Sequence, residues 1–289
     1  MPIISLIARP GGLDPQLVAS LQSAFGGGDA QWLSPDEAAE FHLSTLPGHI
    51  ADVRANVSET GVDLNVVPDG HRRKRLLIAD MDSTMIQQEC IDELAAEAGV
   101  GERVADITAR AMNGELDFEA AITERVALLA GLPGTIVDKV LQTRITHAPG
   151  ARTLVATMKA NGAYAALVSG GFIQFTHAIA ADLGFEENRA NVLIERDATI
   201  TGREAHPILG KDAKADAVDE IPAKLGIGAE DAIAVGDGAN DLGMIARAGL
   251  GVALHAKPSV AAAAPISVTQ GDLTSLLFLQ GYARDEFLS

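Results

Sequence analysis

The chain has 289 residues, of which 47% are hydrophobic and 21% charged, the balance of a globular protein with one large domain or two small ones. The formal net charge of −17 argues against nucleic acid or an anionic membrane as a partner. A single cysteine, Cys90, excludes an internal disulfide. Residues 3–8 lack a preceding basic stretch and no apolar run is long enough to span a bilayer, so we expect a cytoplasmic protein.

Residues 1–70 are predicted to form a small N-terminal α+β domain. Strands are expected at 3–8, 31–33, 37–43 and 62–67, and helices at 14–25 and 48–59. This β-α-β-β-α-β order is shared by the ferredoxin-like class and resembles an ACT-type regulatory domain. A turn at Pro68–His71 and the basic cluster Arg72–Arg75 then predict a solvated linker.

From residue 71 to 289, predicted strands alternate with helices, which indicates an α/β fold with a doubly wound parallel sheet. Three of the strands are each followed directly by polar residues: 76–79 by Asp80-Met81-Asp82-Ser83-Thr84, 164–168 by Ser169-Gly170-Gly171, and 232–235 by Gly236-Asp237-Gly238-Ala239-Asn240-Asp241. Ligands bind outside the carboxyl ends of parallel strands. These side chains are therefore expected to meet in one crevice.

One long stretch, residues 87–148, interrupts this alternation and carries helical patterns without a strand pattern. Asp117 is suited to cap a helix whose apolar stripe is Phe118, Ile122, Val126 and Leu129. An all-helical insert directly after the loop of the first strand is expected to form a cap over the crevice. The core would then comprise residues 75–86 and 149–289, with a small hairpin inserted within 191–203.

The motifs Asp-Met-Asp-Ser-Thr, Ser-Gly-Gly, a lysine and Gly-Asp-Gly-x-Asn-Asp, in this order, resemble those of the haloacid dehalogenase superfamily of phosphotransferases. The resemblance covers roughly residues 75–285 and implies a Rossmann-like core. It implies that Asp80 is the nucleophile that forms an aspartyl phosphate and that Asp82 is the general acid and base. It further implies an Mg²⁺ ion held by Asp80, Asp237 and the carbonyl of Asp82, with Asp241 in support.

A transferring phosphoryl group also needs hydrogen-bond donors and a cation. The Ser169 hydroxyl and the Gly170 and Gly171 amides, which are expected at the start of a helix, are suited to bind the anion. The Asn240 amide adds another donor. Two lysines, Lys211 and Lys214, precede the strand at 232–235. Lys214 is favoured because Lys-Ala-Asp at the start of a helix fits the family pattern better.

Two further segments, DMDSTMIQQECIDE at 80–93 and RAMNGELDFEAAITERVALL at 110–129, resemble the phosphoserine phosphatase branch of the superfamily. In that branch Glu89 would meet the substrate ammonium and Arg125 its carboxylate, which the planar guanidinium can bind through both oxygens. Met112 and Phe118 would enclose the serine side chain. Each residue also has a purely structural alternative: a helix-terminal acid, a solvated arginine, or core packing.

The resulting hypothesis is an Mg²⁺-dependent phosphatase that releases L-serine from O-phospho-L-serine, which the resemblance implies to be the last step of serine biosynthesis. The expected partner is this small molecule, and a homodimer is left open. One alternative keeps the chemistry but acts on another small phosphorylated amino acid or metabolite. The other is a regulatory protein whose N-terminal domain senses an amino acid beside a dormant core.

Overall fold

The strands form a four-stranded, a six-stranded and a two-stranded sheet in the computed structural model, which describes residues 1–112 and 115–288. Their bounds are β1 (Pro2–Ala8), β2 (Gln31–Ser34), β3 (Ala38–His42), β4 (Val62–Pro68), β5 (Leu76–Ala79), β6 (Tyr164–Phe172), β7 (Glu187–Asn191), β8 (Leu193–Arg196), β9 (Thr199–Glu204), β10 (Ala232–Gly236), β11 (Leu250–Leu254) and β12 (Ile266–Val268).

The helices between these strands are mostly short. Their bounds are α1 (Pro15–Phe25), α2 (Ile50–Ser58), α3 (Cys90–Glu97), α4 (Gly101–Met112), α5 (Phe118–Ala127), α6 (Thr135–Thr143), α7 (Ala151–Ala160), α8 (Ile173–Leu183), α9 (Lys211–Leu225), α10 (Leu242–Arg247), α11 (Pro258–Ala263) and α12 (Ser275–Leu279). Across the described ranges, no helix combines the length and the apolar character that crossing a membrane requires.

The N-terminal sheet is antiparallel, with the strand order β2-β3-β1-β4 that the predicted β-α-β-β-α-β arrangement requires. Side chains alternate across β1: Ile4 and Leu6 pack with residues of α1 and α2, whereas Ile3 and Ile7 join the large apolar cluster of the rest of the chain. The sheet is thus covered on both faces, by its own helices on one side and by the following part of the chain on the other.

Polar contacts also join the N-terminal sheet to the rest of the chain. Asp63 of β4 accepts hydrogen bonds from the backbone amides of Thr269 and Gln270, each at 2.8 Å. Asn65 donates its amide to the Ser267 carbonyl at 2.9 Å and accepts from the Ser267 amide at 3.2 Å. These bonds place the edge strand β4 beside β12, at the edge of the six-stranded sheet.

The prediction that Arg72–Arg75 is a solvated linker is wrong for two of its residues. Arg72 pairs with Glu40 of β3, and Lys74 is buried, with its Nζ donating to the Glu230 carbonyl at 2.6 Å. The partners of these two side chains are distant in sequence, which a count of local charge does not reveal. The segment therefore helps to hold the N-terminal sheet in place.

The six-stranded sheet is parallel, in the order β12-β11-β10-β5-β6-β7. Its central strands are buried on both faces: Leu77 and Ala79 of β5 belong to one apolar cluster, Leu76 and Ile78 to the other. This explains why these strands are continuous apolar runs, as is typical of a sheet covered by helices on both sides. The predicted doubly wound α/β core is confirmed.

Between β5 and α7, the chain forms the four helices α3 to α6, as the absence of strand patterns in 87–148 predicted. Asp117 caps α5 by accepting a hydrogen bond from the Ala120 amide at 2.7 Å. The expected hairpin is also present, because β8 and β9 pair antiparallel. We refer to residues 87–148 as the cap and to residues 193–204 as the hairpin.

Candidate active site

Three loops meet at one edge of the parallel sheet. The strands β10, β5 and β6 are neighbours, and their register aligns Ala79 with Val235 and with Leu167. The next residues therefore project from the same edge, as predicted. A cavity of about 480 Å³ opens there, lined from the core by Asp80, Asp82, Ser83, Ser169, Gly170, Gly171, Phe172, Asp237, Gly238, Ala239, Asn240, Lys257, Ser259 and Val260, and from the cap by Glu89, Ile91, Asp92, Thr108, Phe118, Ile122 and Arg125.

Lys214 lies at the floor of the site. Its Nζ is 2.6 Å from Oδ1 of Asp80 and 2.7 Å from Oδ1 of Asp241, and its side chain is 1% exposed. Burial alone would lower the pKa of Lys214, but the two carboxylates outweigh burial and raise it. Lys211, in contrast, is exposed at the start of α9. Of the two lysines that the sequence offers, the structure places Lys214 against Asp80.

Asp82 is held by the first turn of α3 and by the loop after β6. Its Oδ1 accepts a hydrogen bond from the Cys90 amide at 2.9 Å, and the Ser169 hydroxyl lies 3.4 Å from its Oδ2. Burial, followed by the negative charge of Glu89, raises the pKa of Asp82 to about 6. A side chain at Gly171 would place its Cβ 2.7 Å from Oδ2 of Asp82, so only glycine permits this approach.

Three carboxylates face one another beside Lys214. Asp80, Asp237 and Asp241 each bring an oxygen atom within 4.8 Å of the others. Burial, and then the charge of Asp241, raises the pKa of Asp237 to about 6. An all-oxygen set of this kind is the chemistry that hard divalent cations prefer. The carboxylate of Asp82 accepts a hydrogen bond from the Cys90 amide. The resemblance assigned the backbone carbonyl of Asp82, and not its carboxylate, to the metal.

The expectation that Gly170 and Gly171 open a helix is wrong. Strand β6 continues to Phe172 and α8 begins only at Ile173, so the glycines belong to the end of the strand. The amide of Gly171 donates to the Ser169 hydroxyl at 2.9 Å. The strand is prolonged because β7 pairs again with β6 at Asn191 and Phe172, after a break in register.

Sequence reasoning missed Asn191, whose side chain binds the backbone at Gly170. Asn191 is buried, and its Nδ2 donates to the Gly170 carbonyl at 2.8 Å and to the Leu209 carbonyl at 3.2 Å. Its Oδ1 accepts from the Leu209 amide at 2.6 Å. An asparagine at the end of a strand carries no local signal for this role, because the contacts join segments that are distant in sequence.

The predicted selectivity residues Glu89 and Arg125 both line the cavity from the cap. Glu89 is exposed at the N-cap of α3 and accepts a hydrogen bond from the Ser83 hydroxyl at 2.6 Å. Arg125, on α5, donates its Nε to the Ala121 carbonyl at 3.2 Å. Burial lowers the pKa of Arg125, and the charges of Asp92 and Glu89 oppose this effect. Asp92, which the sequence did not single out, thus adds to the negative charge facing Arg125.

The remaining predicted residues are Phe118, Asn240 and Met112. Phe118 is 36% exposed, and its ring packs on Gly170 across the boundary between cap and core. Asn240 lies in the short 3₁₀ turn after β10 and lines the cavity. The side chain of Met112 lies outside the described part of the chain. Phe118 therefore lies in the cavity lining where the cap meets the core.

Residues 77–246, more than half of the chain, match the family model of the haloacid dehalogenase-like hydrolases. The chain belongs to this family. The resemblance seen in its motifs is thereby confirmed, and the match spans the cap and the core strands from β5 to β10.

Relatives of this hydrolase include a phosphoserine phosphatase from Streptomyces coelicolor, 45% identical over 258 residues, or 87% of this chain. The chain spans less than two thirds of the length of that protein and of its counterparts from Mycobacterium tuberculosis and Archaeoglobus fulgidus.

Among solved structures, a HAD family hydrolase from Salmonella enterica serovar Typhi is similar over 99% of both chains, with 30% identity and a TM-score of 0.87. A substrate-bound phosphoserine phosphatase is 41% identical, with a TM-score of 0.66, over 71% of this chain and 97% of that one. The first similarity includes the N-terminal sheet.

Proposed function

We propose that this hydrolase is a phosphoserine phosphatase, which cleaves O-phospho-L-serine to L-serine and phosphate. The observation that carries the proposal is one cavity in which Asp80 and Asp82 face the cap residues Glu89 and Arg125, with the buried Nζ of Lys214 2.6 Å from Asp80. The two aspartates and the lysine suit phosphoryl transfer, and the two cap residues suit the charges of an amino acid. The names of the relatives from Streptomyces coelicolor and of the substrate-bound structure support the same substrate.

Asp80 is the proposed nucleophile. An Asp80 oxygen attacks phosphorus and the bond from phosphorus to the serine oxygen breaks, which leaves an aspartyl phosphate. Burial raises the pKa of Asp80, and the ammonium of Lys214, 2.6 Å away, opposes this shift. The same ammonium offsets the charge of the transferring phosphoryl group. Water then attacks phosphorus, the bond from phosphorus to the Asp80 oxygen breaks, and inorganic phosphate leaves with the Asp80 carboxylate restored.

Asp82 is the proposed acid and base for these two steps. In the first it gives its proton to the departing serine oxygen, and in the second it takes a proton from the attacking water. A pKa raised to about 6 allows Asp82 to hold or release a proton near neutral pH. The bond from the Cys90 amide fixes its orientation during both steps.

Asp80, Asp237 and Asp241 are the proposed side-chain ligands of Mg²⁺, together with the Asp82 carbonyl. Their oxygens lie within 4.8 Å of one another, and such a set fits a small hard cation. When bound, the ion supplies positive charge to the phosphoryl oxygens. In a chain of net charge −17, this local charge and Lys214 are needed to admit an anionic substrate.

The phosphate would be held by the Ser169 hydroxyl, the Gly170 and Gly171 amides and Asn240, all at the cavity. On the cap side, Glu89 would accept hydrogen bonds from the substrate ammonium and Arg125 would donate to its carboxylate, while Phe118 and Met112 would enclose the methylene group. In this proposal the residues of the core carry out the reaction, and the residues of the cap select the substrate.

Steady-state kinetics with phosphoserine and with simple sugar phosphates test the proposal. We expect kcat/KM to be at least about a hundredfold higher for phosphoserine, because two charged groups of the amino acid are recognised. Equal efficiency with all of these esters would contradict the substrate assignment, while leaving the phosphatase chemistry intact.

A further inference from the structure

The hairpin is part of the core by sequence but packs against the cap. It lies between β7 and α9, yet its apolar side chains Leu193 and Ile200 belong to the same buried cluster as Val126 and Leu129 of the cap. Its base is fixed to the core, because the Gln174 side chain donates to the Leu193 carbonyl at 3.0 Å. The hairpin is therefore continuous in sequence with the core and contacts the cap only through noncovalent packing and hydrogen bonds.

Backbone hydrogen bonds tie the tip of the hairpin to the segment that follows α5. The Ile200 amide donates to the Leu132 carbonyl at 2.8 Å, and the Gly131 amide donates to the Ile200 carbonyl at 2.9 Å. The approach is close: a side chain at Gly202, whose φ is +75°, would place its Cβ 2.6 Å from that of Ala130. The C-terminal end of α5 is thus held by strand-like pairing.

A side-chain contact holds the middle of α5. Glu204, at the end of β9 and 6% exposed, accepts a hydrogen bond from the Thr123 hydroxyl at 2.5 Å. Among the described residues, the Thr123 hydroxyl is the one hydrogen-bond donor found for this carboxylate. A buried carboxylate needs such a donor, so Thr123 and Glu204 are expected to stay together.

This contact lies on the face of α5 opposite to the one that carries Arg125. Successive residues of an α-helix are separated by 100°, so positions two apart point in roughly opposite directions. Thr123 faces the hairpin, whereas Arg125 lines the cavity. The distance between the hairpin and α5 consequently sets how far the guanidinium reaches into the cavity.

We propose that Glu204 is a positioning residue for substrate recognition. Through Thr123 it fixes α5, and with it Arg125, relative to residues 169–171, which are proposed to bind the phosphate. This inference rests on the proposed function, in which Arg125 meets the substrate carboxylate. Loss of the contact weakens recognition of that carboxylate and leaves the phosphoryl-transfer groups of the core in place.

The experiment compares Thr123→Val with Thr123→Ser on two substrates. Phosphoserine carries the carboxylate, and O-phosphoethanolamine is the same ester without it. Thr123→Val removes the donor but keeps the shape, and we expect KM for phosphoserine to rise about threefold to tenfold with little change in kcat. KM for phosphoethanolamine should not change. Thr123→Ser keeps the hydroxyl and should behave as the unmodified chain does.

Thr143→Val, on the exposed surface of α6, is the matched control for loss of a threonine hydroxyl in the cap. Thr123 is itself exposed, so the variants are expected to fold, and Glu204→Gln offers a second variant that keeps an acceptor and should retain the wild-type KM. An unchanged KM for phosphoserine in Thr123→Val, or equal changes for both substrates, would overturn the inference. If the unmodified chain does not prefer phosphoserine to phosphoethanolamine, the proposed function itself fails.

Discussion

The two sides of the cavity differ in how their polar groups are held. On the core side, Asp80, Asp241 and Lys214 are almost fully buried and bonded to one another. On the cap side, Glu89 is exposed and Arg125 is bonded within its own helix. The groups that we propose to react are thus held by one another, whereas those that we propose to select the substrate are held by Ser83 and by the backbone of α5. Preorganisation is worth most where charge develops during reaction.

The most severe test of the core side is Asp80→Asn, which keeps the shape of the side chain and removes the nucleophile. We expect kcat for phosphoserine to fall by about 10⁴-fold or more, because the covalent step is lost. Phosphate release measures this, and circular dichroism should show an unchanged fold. Retained turnover, with deamidation excluded by mass spectrometry, would contradict the proposed mechanism.

Removal of the metal is expected to have the next largest effect. Chelation with EDTA should lower activity by at least about a hundredfold, since Asp80, Asp237 and Asp241 would then face the phosphate without a divalent cation. Added Mg²⁺ should restore the activity. Full activity in the chelated protein would show that this carboxylate cluster does not need an ion.

Lys214→Met tests the burial of the core charges. Without the ammonium, Asp80 and Asp241 remain buried and unpaired, so we expect the metal-free protein to lose about 3–5 kcal/mol of its free energy of unfolding. Urea denaturation measures the loss. Lys211→Met, at an exposed position of the same helix, is the matched control and should change stability by less than about 0.5 kcal/mol. Equal effects of the two substitutions would contradict this description of the core.

Arg125→Ala tests whether the cap side of the cavity recognises the substrate carboxylate. We expect KM for phosphoserine to rise about tenfold to a hundredfold, as the loss of a charge-assisted bond to a carboxylate would do. The kinetics of O-phosphoethanolamine should change little, because this ester has no carboxylate for Arg125 to bind. A similar loss with both esters would place Arg125 in the chemistry and not in selection.

The core was predictable from the sequence because its signals are local. Each central strand is an apolar run that ends directly in a polar motif, and the register of parallel neighbours then brings Asp80, Ser169 and Asp237 together. The choice of Lys214 over Lys211 needed the pattern of a known family, since both precede β10. Only the structure shows which of the two reaches Asp80.

The errors concern contacts between distant parts of the chain. The partner of Arg72 is Glu40 of β3, 32 residues earlier in the chain, so the basic cluster appeared solvated when considered alone. The loop at Gly170 remains extended because β7 and Asn191 hold it, which no property of the two glycines indicates. The division into domains at residue 70 and the homodimer stay predictions.

The contacts of the N-terminal sheet have a consequence for synthesis of the chain. Glu37, buried next to β3, pairs with Arg284, and Ile3 and Ile7 pack in the cluster that includes Leu276 and Leu277. Domains generally fold as they leave the ribosome, in order from the N-terminus. Here the face of the sheet that carries Ile3 and Ile7 is completed only when translation has passed Leu276 and Leu277. During that interval the nascent chain exposes this apolar face.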